Sequence, residues 1–218
     1  ECKFNAYQKK VLKEKEKYKR KRLVTTNWFF DHLRGENLKI RDKIIYNKGI
    51  DIKVPWEVAR FQHLSKLCVF AYLNNHDEDY DFIKFQILDF IVVNPPTLGI
   101  HWLNAMEVAI RGSNLSMITD ILILKNKLSD QEKLIFYNSI NDHLLFILGN
   151  LEWSPLSRNN HYLTNIVGLM VMSYFLPKSK FLDSIMNFSM EQFLNEIDFQ
   201  FYDDGGSKEG STSYHIYS

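Results

Sequence analysis

Cysteine, proline and glycine are all scarce in this 218-residue chain, at 2, 5 and 9 residues. Cys2 and Cys68 alone make no disulfide framework. No CxxC, no HExxH and no pair of spaced His/Cys motifs is present, which argues against a structural zinc site. So few glycines and prolines disfavour a sandwich of many short strands joined by tight turns. No apolar run approaches the roughly 18 residues that a membrane helix needs. An excess of one charge is lacking as well: 27 Lys and Arg face 26 Asp and Glu, too even a balance to mark a nucleic-acid binder. Neither an initiator methionine nor a signal peptide is present. The expectation is an internal piece of a longer protein, whose compartment the missing signal does not decide.

What is present is ordinary for a globular protein, with 45% hydrophobic and 24% charged residues. The length suits one large domain or a small pair, at about 150 residues per domain. The charge is uneven along the chain. Residues 9–22 hold nine basic side chains against Glu14 and Glu16, and the remainder is acidic by six. Such a run reads first as a solvated helix or tail, because it lacks the apolar face of a membrane-surface helix.

Apolar spacing predicts helix over most of the chain. Residues 3–22 read as a charged, exposed helix, and residues 23–53 as mixed and turn-rich, with short extended pieces around Lys39–Tyr46. From Val54 a stripe of Val58, Phe61, Leu64, Leu67, Cys68 and Ala71 marks a helix to about Asn75, with Pro55 in its first turn. Further helices are expected over Asp79–Val93, stopped by Asn94-Pro95-Pro96, and over His101–Lys125. Ser129 and Glu132 form a capping-box-like start for a helix to Leu151. Two more run from Asn159/Asn160 to Pro177 and from Lys180 to Tyr202. Asp203-Asp204-Gly205-Gly206 reads as a turn, with a short helix from Ser211. Helix starts at intervals of about 22–28 residues suggest antiparallel hairpins in a row, as a superhelix of pairs or an α/α toroid.

Four polar and aromatic patches stand out from this array. They are Trp56-Glu57-x-x-Arg60-Phe61, then Gly99-Ile100-His101-Trp102 with Met106-Glu107 and Arg111, then Asn159-Asn160-His161-Tyr162. The last is the glycine turn with Glu209 and Tyr214-His215. Asn and His at a helix start add donors to free backbone N–H groups, which suits a bound carboxylate. An N-cap explains one Asn but not His161. Glu107 and Arg111 share a face at i,i+4, as a surface ion pair or as something less exposed. Trp102 serves either as a stacking platform for a sugar or as core. Tyr214 acts as a general acid or base only if its pKa, ordinarily about 10, is lowered or if it works protonated, and a neighbouring cation or His helps.

In order, the patches resemble the N-terminal helical domain of the heparinase II/III family of polysaccharide lyases. The motifs that carry this are Trp56-Glu57-x-x-Arg60-Phe61, then Asn94-Pro95 and Gly99-x-x-Trp102-x-x-x-Met106-Glu107-x-Ala109-x-Arg111. Asn160-His161-x-Leu163, with the Phe175-x-Pro177 helix end, comes next. Glu196-x-x-x-Gln200-x-x-x-Asp204-Gly205 and Glu209-x-Ser211-x-x-Tyr214-His215 complete the set. They span about residues 54–217; residues 1–53 match less clearly and are set apart as a basic helix and turn-rich segment.

The resemblance implies an all-α, incomplete α/α toroid over residues 54–218, with the family's C-terminal β-sandwich absent from this chain. It implies β-elimination on an acidic, uronic-acid-containing polysaccharide. Asn160 and His161 would neutralise the uronate carboxylate, and Tyr214 would protonate the leaving oxygen and for some substrates take the C5 proton. Trp102, Glu107, Arg111, Glu209 and His215 are carried over as cleft-lining, substrate-binding residues. No cofactor or metal is expected in this chain, and a metal in the β-domain is left open. The resemblance places the protein in the periplasm or cell envelope. Its expected partner is the polysaccharide, with no nucleic acid and no membrane span; the oligomeric state and the glycan stay unassigned. The 218-residue piece alone is expected to be inactive.

Three other readings compete. The first is a non-catalytic glycan-binding or surface-polysaccharide assembly protein that keeps the lyase fold. The second is a helical scaffold for protein partners, whose patches would not converge. The third is a glycoside hydrolase that uses Glu107 and Glu209 as its carboxylate pair.

Overall fold

A computed structural model describes residues 5–18, 23–38, 51–155 and 158–208. The described chain is mostly helical, as its periodicity predicts. The helices are α1 (Ala6–Glu16), α2 (Lys53–Ala59), α3 (Gln62–Asn74), α4 (Asp77–Val93), α5 (Ala105–Leu124), α6 (Asp130–Gly149), α7 (Asn160–Phe175) and α8 (Lys180–Gln200). A two-residue antiparallel hairpin, β1 (Phe30–Asp31) and β2 (Glu36–Asn37), falls within the turn-rich stretch.

Three hairpins, α3/α4, α5/α6 and α7/α8, make the array. Helices α3, α5 and α7 lie side by side, each packed on the next. Helix α1 lies against α4 and α6, which flank that row. Small residues set the closest approach. A Cβ at Gly168 would stand 2.7 Å from the Cβ and 3.1 Å from the Cα of Ala109, so only glycine lets α7 come this near α5. The core is aliphatic and aromatic, with Leu64, Cys68, Ile87, Leu115, Ile140 and Leu169 fully buried.

Local chemistry explains the helix ends. Ser129 and Glu132 form the reciprocal capping box expected of them, and Asn5 with Gln8 forms a second at α1. Asn104, Asn159 and Ser179 cap α5, α7 and α8 by accepting from backbone N–H groups.

Three expectations change. The stretch from Val54 to Asn75 is two helices, because Phe61 adopts a left-handed conformation (φ 63°) that ends α2 and opens α3. Its ring gains an edge-on seat against Trp28 and Phe90 in the core. Helix α1 is shorter than the charged run and is not an exposed rod. Val11 is fully buried against the fold, and Lys15 pairs with the buried Asp89 at 2.5 Å. The helix predicted from His101 begins only at Ala105, after a 3-10 turn over Ile100–Trp102. The extended pieces at 39–46 and the helix from Ser211 lie outside the described residues.

Candidate functional site

Two polar centres lie beside the start of α5. The first is buried. Arg60 reaches from the end of α2 and grips Glu107 with two parallel bonds, Nε to Oε2 and a terminal nitrogen to Oε1, each 2.8 Å. This fork geometry is the strong form of a carboxylate–guanidinium pair. Arg60 also pairs with Glu57 one turn earlier. The Trp56 indole N–H donates to the Ile100 carbonyl at 2.8 Å, which ties α2 to the turn before α5.

Arg111, one turn beyond Glu107, points elsewhere. Its Nε–H donates to His143 Nε2 and a terminal nitrogen to the His101 carbonyl, both at 2.8 Å. His143 Nδ1–H in turn donates to the Ser139 carbonyl at 2.7 Å, so the ring is the neutral Nδ1–H tautomer. Burial and the Arg111 charge hold His143 well below the usual histidine range. The same two causes bring His101 down to about 3. Burial lowers Arg111 itself to about 9, still protonated at neutral pH. Glu107 and Arg111 are therefore not an intrahelical pair: each takes a partner from another helix. Trp102 is 5% exposed, stacked among His143, Phe146 and Arg111. The core alternative describes most of its ring, and one edge borders a surface cleft.

The second centre is open. It forms where the N-termini of α5 and α7 meet the loop after α6. Glu152 in that loop accepts from the Met106 backbone N–H at 2.8 Å and from the Asn104 side chain at 3.1 Å. Asn165 adds a third donor at 3.3 Å and takes the Glu152 backbone N–H in return at 2.9 Å. The carboxylate sits on a helix N-terminus surrounded by donors, which favours its charged form. Burial opposes this, yet hydrogen bonds and the charge of His161 leave its pKa below the usual value.

His161 faces Glu152, with Nδ1 3.0 Å from Oε1. A carboxylate only accepts, so Nδ1 carries the proton and the ring is fixed in tautomer and orientation. Asn159 caps α7 by accepting from the His161 backbone N–H at 3.1 Å. Asn160 is the first helical residue and is largely buried. Of the two alternatives for the cap, Asn159 takes it. Asn159, His161, Glu152 and the half-exposed Trp153 line a cleft of about 300 Å³.

A basic flank adjoins it. The Arg158 guanidinium lies 3.9 Å from the Phe199 ring centre and donates twice to Glu196. Lys208 approaches the same ring, and together with Gln200 they border a cleft of about 390 Å³. Gln200 donates to the Asn159 carbonyl at 3.1 Å, so this cleft abuts the α7 N-terminus.

The structure thus links the first three sequence patches. Trp56 and Arg60 meet the α5 start, and that start meets His161 through Glu152. Gln200 connects the α8 end to them. Glu209, Tyr214 and His215 lie outside the described residues. Among the described residues, no group of three or more His, Cys, Asp or Glu is placed to hold a metal ion. Sequence reading passed over Glu152, Trp153, Arg158 and Lys208. Glu152-Trp153 is an acid beside an aromatic, just after the helix-ending Gly149-Asn150, and that was the available signal.

The fold is an all-α domain of helical hairpins, with a carboxylate-held histidine and capping asparagine at a helix N-terminus. The chain belongs to the heparinase II/III family: the family model described as Heparinase II/III N-terminus matches residues 3–218. The family is one of polysaccharide lyases. No match was found among curated proteins or among solved structures. No described helix is long and apolar enough to cross a membrane.

Proposed function

We propose that the chain is the helical part of a lyase that cleaves a uronic-acid-containing polysaccharide by β-elimination. The observation that carries the reading is the seating of His161. A family-motif histidine stands at a helix N-terminus, is fixed through Nδ1 by a charged Glu152, and lines an open cleft beside the basic Arg158–Lys208 flank.

The chemistry needs this arrangement. The C5 proton of a uronate is hardly acidic while the neighbouring carboxylate is charged. Neutralising that carboxylate lets charge from C5 spread into it as an aci-carboxylate. The α7 N-terminus, the Asn160 amide and a His161 oriented by Glu152 are the groups for this task. The C5–H bond then breaks, its electrons form C4=C5, and the C4–O bond breaks with its pair leaving on oxygen. Tyr214 is assigned the proton for that oxygen and, on suitable substrates, the removal of the C5 proton; on the others a base from another part of the full-length protein takes that proton. Glu107, held in its ion pair with Arg60 and 3% exposed, does not suit the acid of a glycoside hydrolase. A periplasmic or cell-envelope site goes with this reading, and so does an acidic glycan as partner.

The test uses the full-length protein with a panel of uronate polysaccharides, following the ultraviolet absorbance of the conjugated C4=C5 product. Absorbance that rises for one glycan and vanishes in Asn160→Ala, His161→Ala and Tyr214→Phe supports lyase chemistry. Binding without any absorbance change favours a glycan-binding protein on the lyase fold.

A further inference from the structure

The loop between α4 and α5, the start of α1 and one face of α6 enclose two adjoining clefts of about 630 and 450 Å³. Both are bordered by Pro96 and Asp142. Helix α6 directs Asn138, Asn141 and Asp142 into them, at the i, i+3, i+4 spacing that puts three side chains on one face. Among the described residues, none of these three side chains makes a hydrogen bond or ion pair. The fold does not use them. Its polar connections on α6 run through Glu132 and His143 instead. The edge of Trp102 and the ring of Phe146, 5.3 Å apart between centres, line one cleft, and Tyr7 lines the other.

Amides, a lone carboxylate and aromatic edges suit a sugar: hydroxyls donate to the oxygens, and the sugar's C–H groups pack against the aromatic edges. The carboxylate also excludes. Among the described residues no cation pairs with Asp142, so a uronate or sulfate placed there meets a like charge. Burial alone pushes the Asp142 carboxyl up to about 6, in keeping with the lack of a cationic partner.

We propose that this cleft is a second glycan subsite, that it takes a non-anionic sugar, and that Asp142 is its specificity-determining residue. The proposal rests on the lyase reading, because it places this sugar on the same polymer as the uronate at His161. The two clefts are neighbours. Leu103 and Asn150 border the new one, and the next residues along the chain, Asn104 and Leu151–Glu152, build the His161 centre. A polymer that alternates acidic with uncharged or amino sugars fits both; a polymer of uronates alone does not.

The test is equilibrium binding of octasaccharides to the full-length protein by calorimetry. Two probes alternate glucuronate with N-acetylglucosamine, hyaluronan and heparosan. Two are purely acidic, polymannuronate and polyguluronate. At least one alternating probe is expected to bind about tenfold or more tighter than both acidic ones. Asp142→Asn, which keeps shape and removes charge, is expected to close most of that gap by improving the acidic probes. Equal binding of both classes, or a preference that Asp142→Asn leaves unchanged, overturns the subsite. In that case His161→Ala still weakens every probe that binds, and the lyase reading stands. Binding of none of the four overturns both.

Discussion

The two polar centres beside α5 contain the same kinds of residue and have opposite characters. Around Glu107 and Arg111, every charge is enclosed and answered by protein: Arg60 to Glu107, His143 and the His101 carbonyl to Arg111. Around Glu152 and His161, the protein supplies one side of the arrangement and a cleft occupies the other. Family motifs run through both. The difference teaches that residues carried over together from a resemblance divide by burial into those that build the array and those that can meet a glycan.

This division can be broken by measurement. The largest change in stability is expected for Arg111→Ala. It leaves a cavity, removes the donor to a buried neutral histidine and isolates buried polar groups, a loss of about 3–5 kcal/mol. Urea unfolding checks it, and a loss below about 1 kcal/mol would show that the enclosed centre is not structural. Next comes Gly168→Val. Its side chain would collide with the Ala109 backbone on α5, which gives, and overpacking of this kind costs about 1–3 kcal/mol. An unchanged melting temperature would mean that the α5–α7 approach is looser than described.

A smaller effect, dependent on pH, is expected at Asp142. Its folded pKa, about 6, lies above the ordinary 3.8, so the folded state binds this proton more tightly. The fold therefore gains relative stability on acidification. The penalty of ionising Asp142 grows as pH rises from about 4 to about 6 and is complete above that. Asp142→Asn should raise stability at pH 7 by about 1 kcal/mol, after allowing for the water that still reaches the group, and leave it unchanged at pH 3.5. Melting curves at the two pH values decide it; an equal shift at both would refute the linkage. The smallest structural effect is expected for His161→Ala, about 1 kcal/mol or less for a partly exposed pair. The same substitution is expected to abolish turnover of the polysaccharide. If it unfolds the protein instead, the contrast between the two centres fails.

Several elements were legible without a structure. The Ser129–Glu132 cap, the stop at Asn94-Pro95-Pro96 and the α7 and α8 starts follow from local chemistry, which acts over three or four residues. Asn160-His161 at a helix N-terminus was legible for the same reason. The break at Phe61 was not, because a left-handed phenylalanine is stabilised by Trp28 and Phe90, 33 and 29 residues away along the chain. The burial of α1 was hidden by its lysines, whose long stems leave room for Val11 to reach the core. Glu152 was passed over because nothing near it in sequence shows that its partners are the α5 N-terminus and a histidine nine positions on.

The sequence by itself determined that the chain is helical, where most helices begin and end, and to which family it belongs. These depend on periodicity, capping and the order of motifs, all of which are properties of neighbours along the chain. Only the tertiary structure decided that Glu107 answers Arg60 rather than Arg111 and that Arg111 is enclosed. It alone brought Glu152 to His161 and left Asp142 facing an open cleft. Burial and pairing are set by which helices pack together, and the free energy of a charge depends on the partner and the water it meets there.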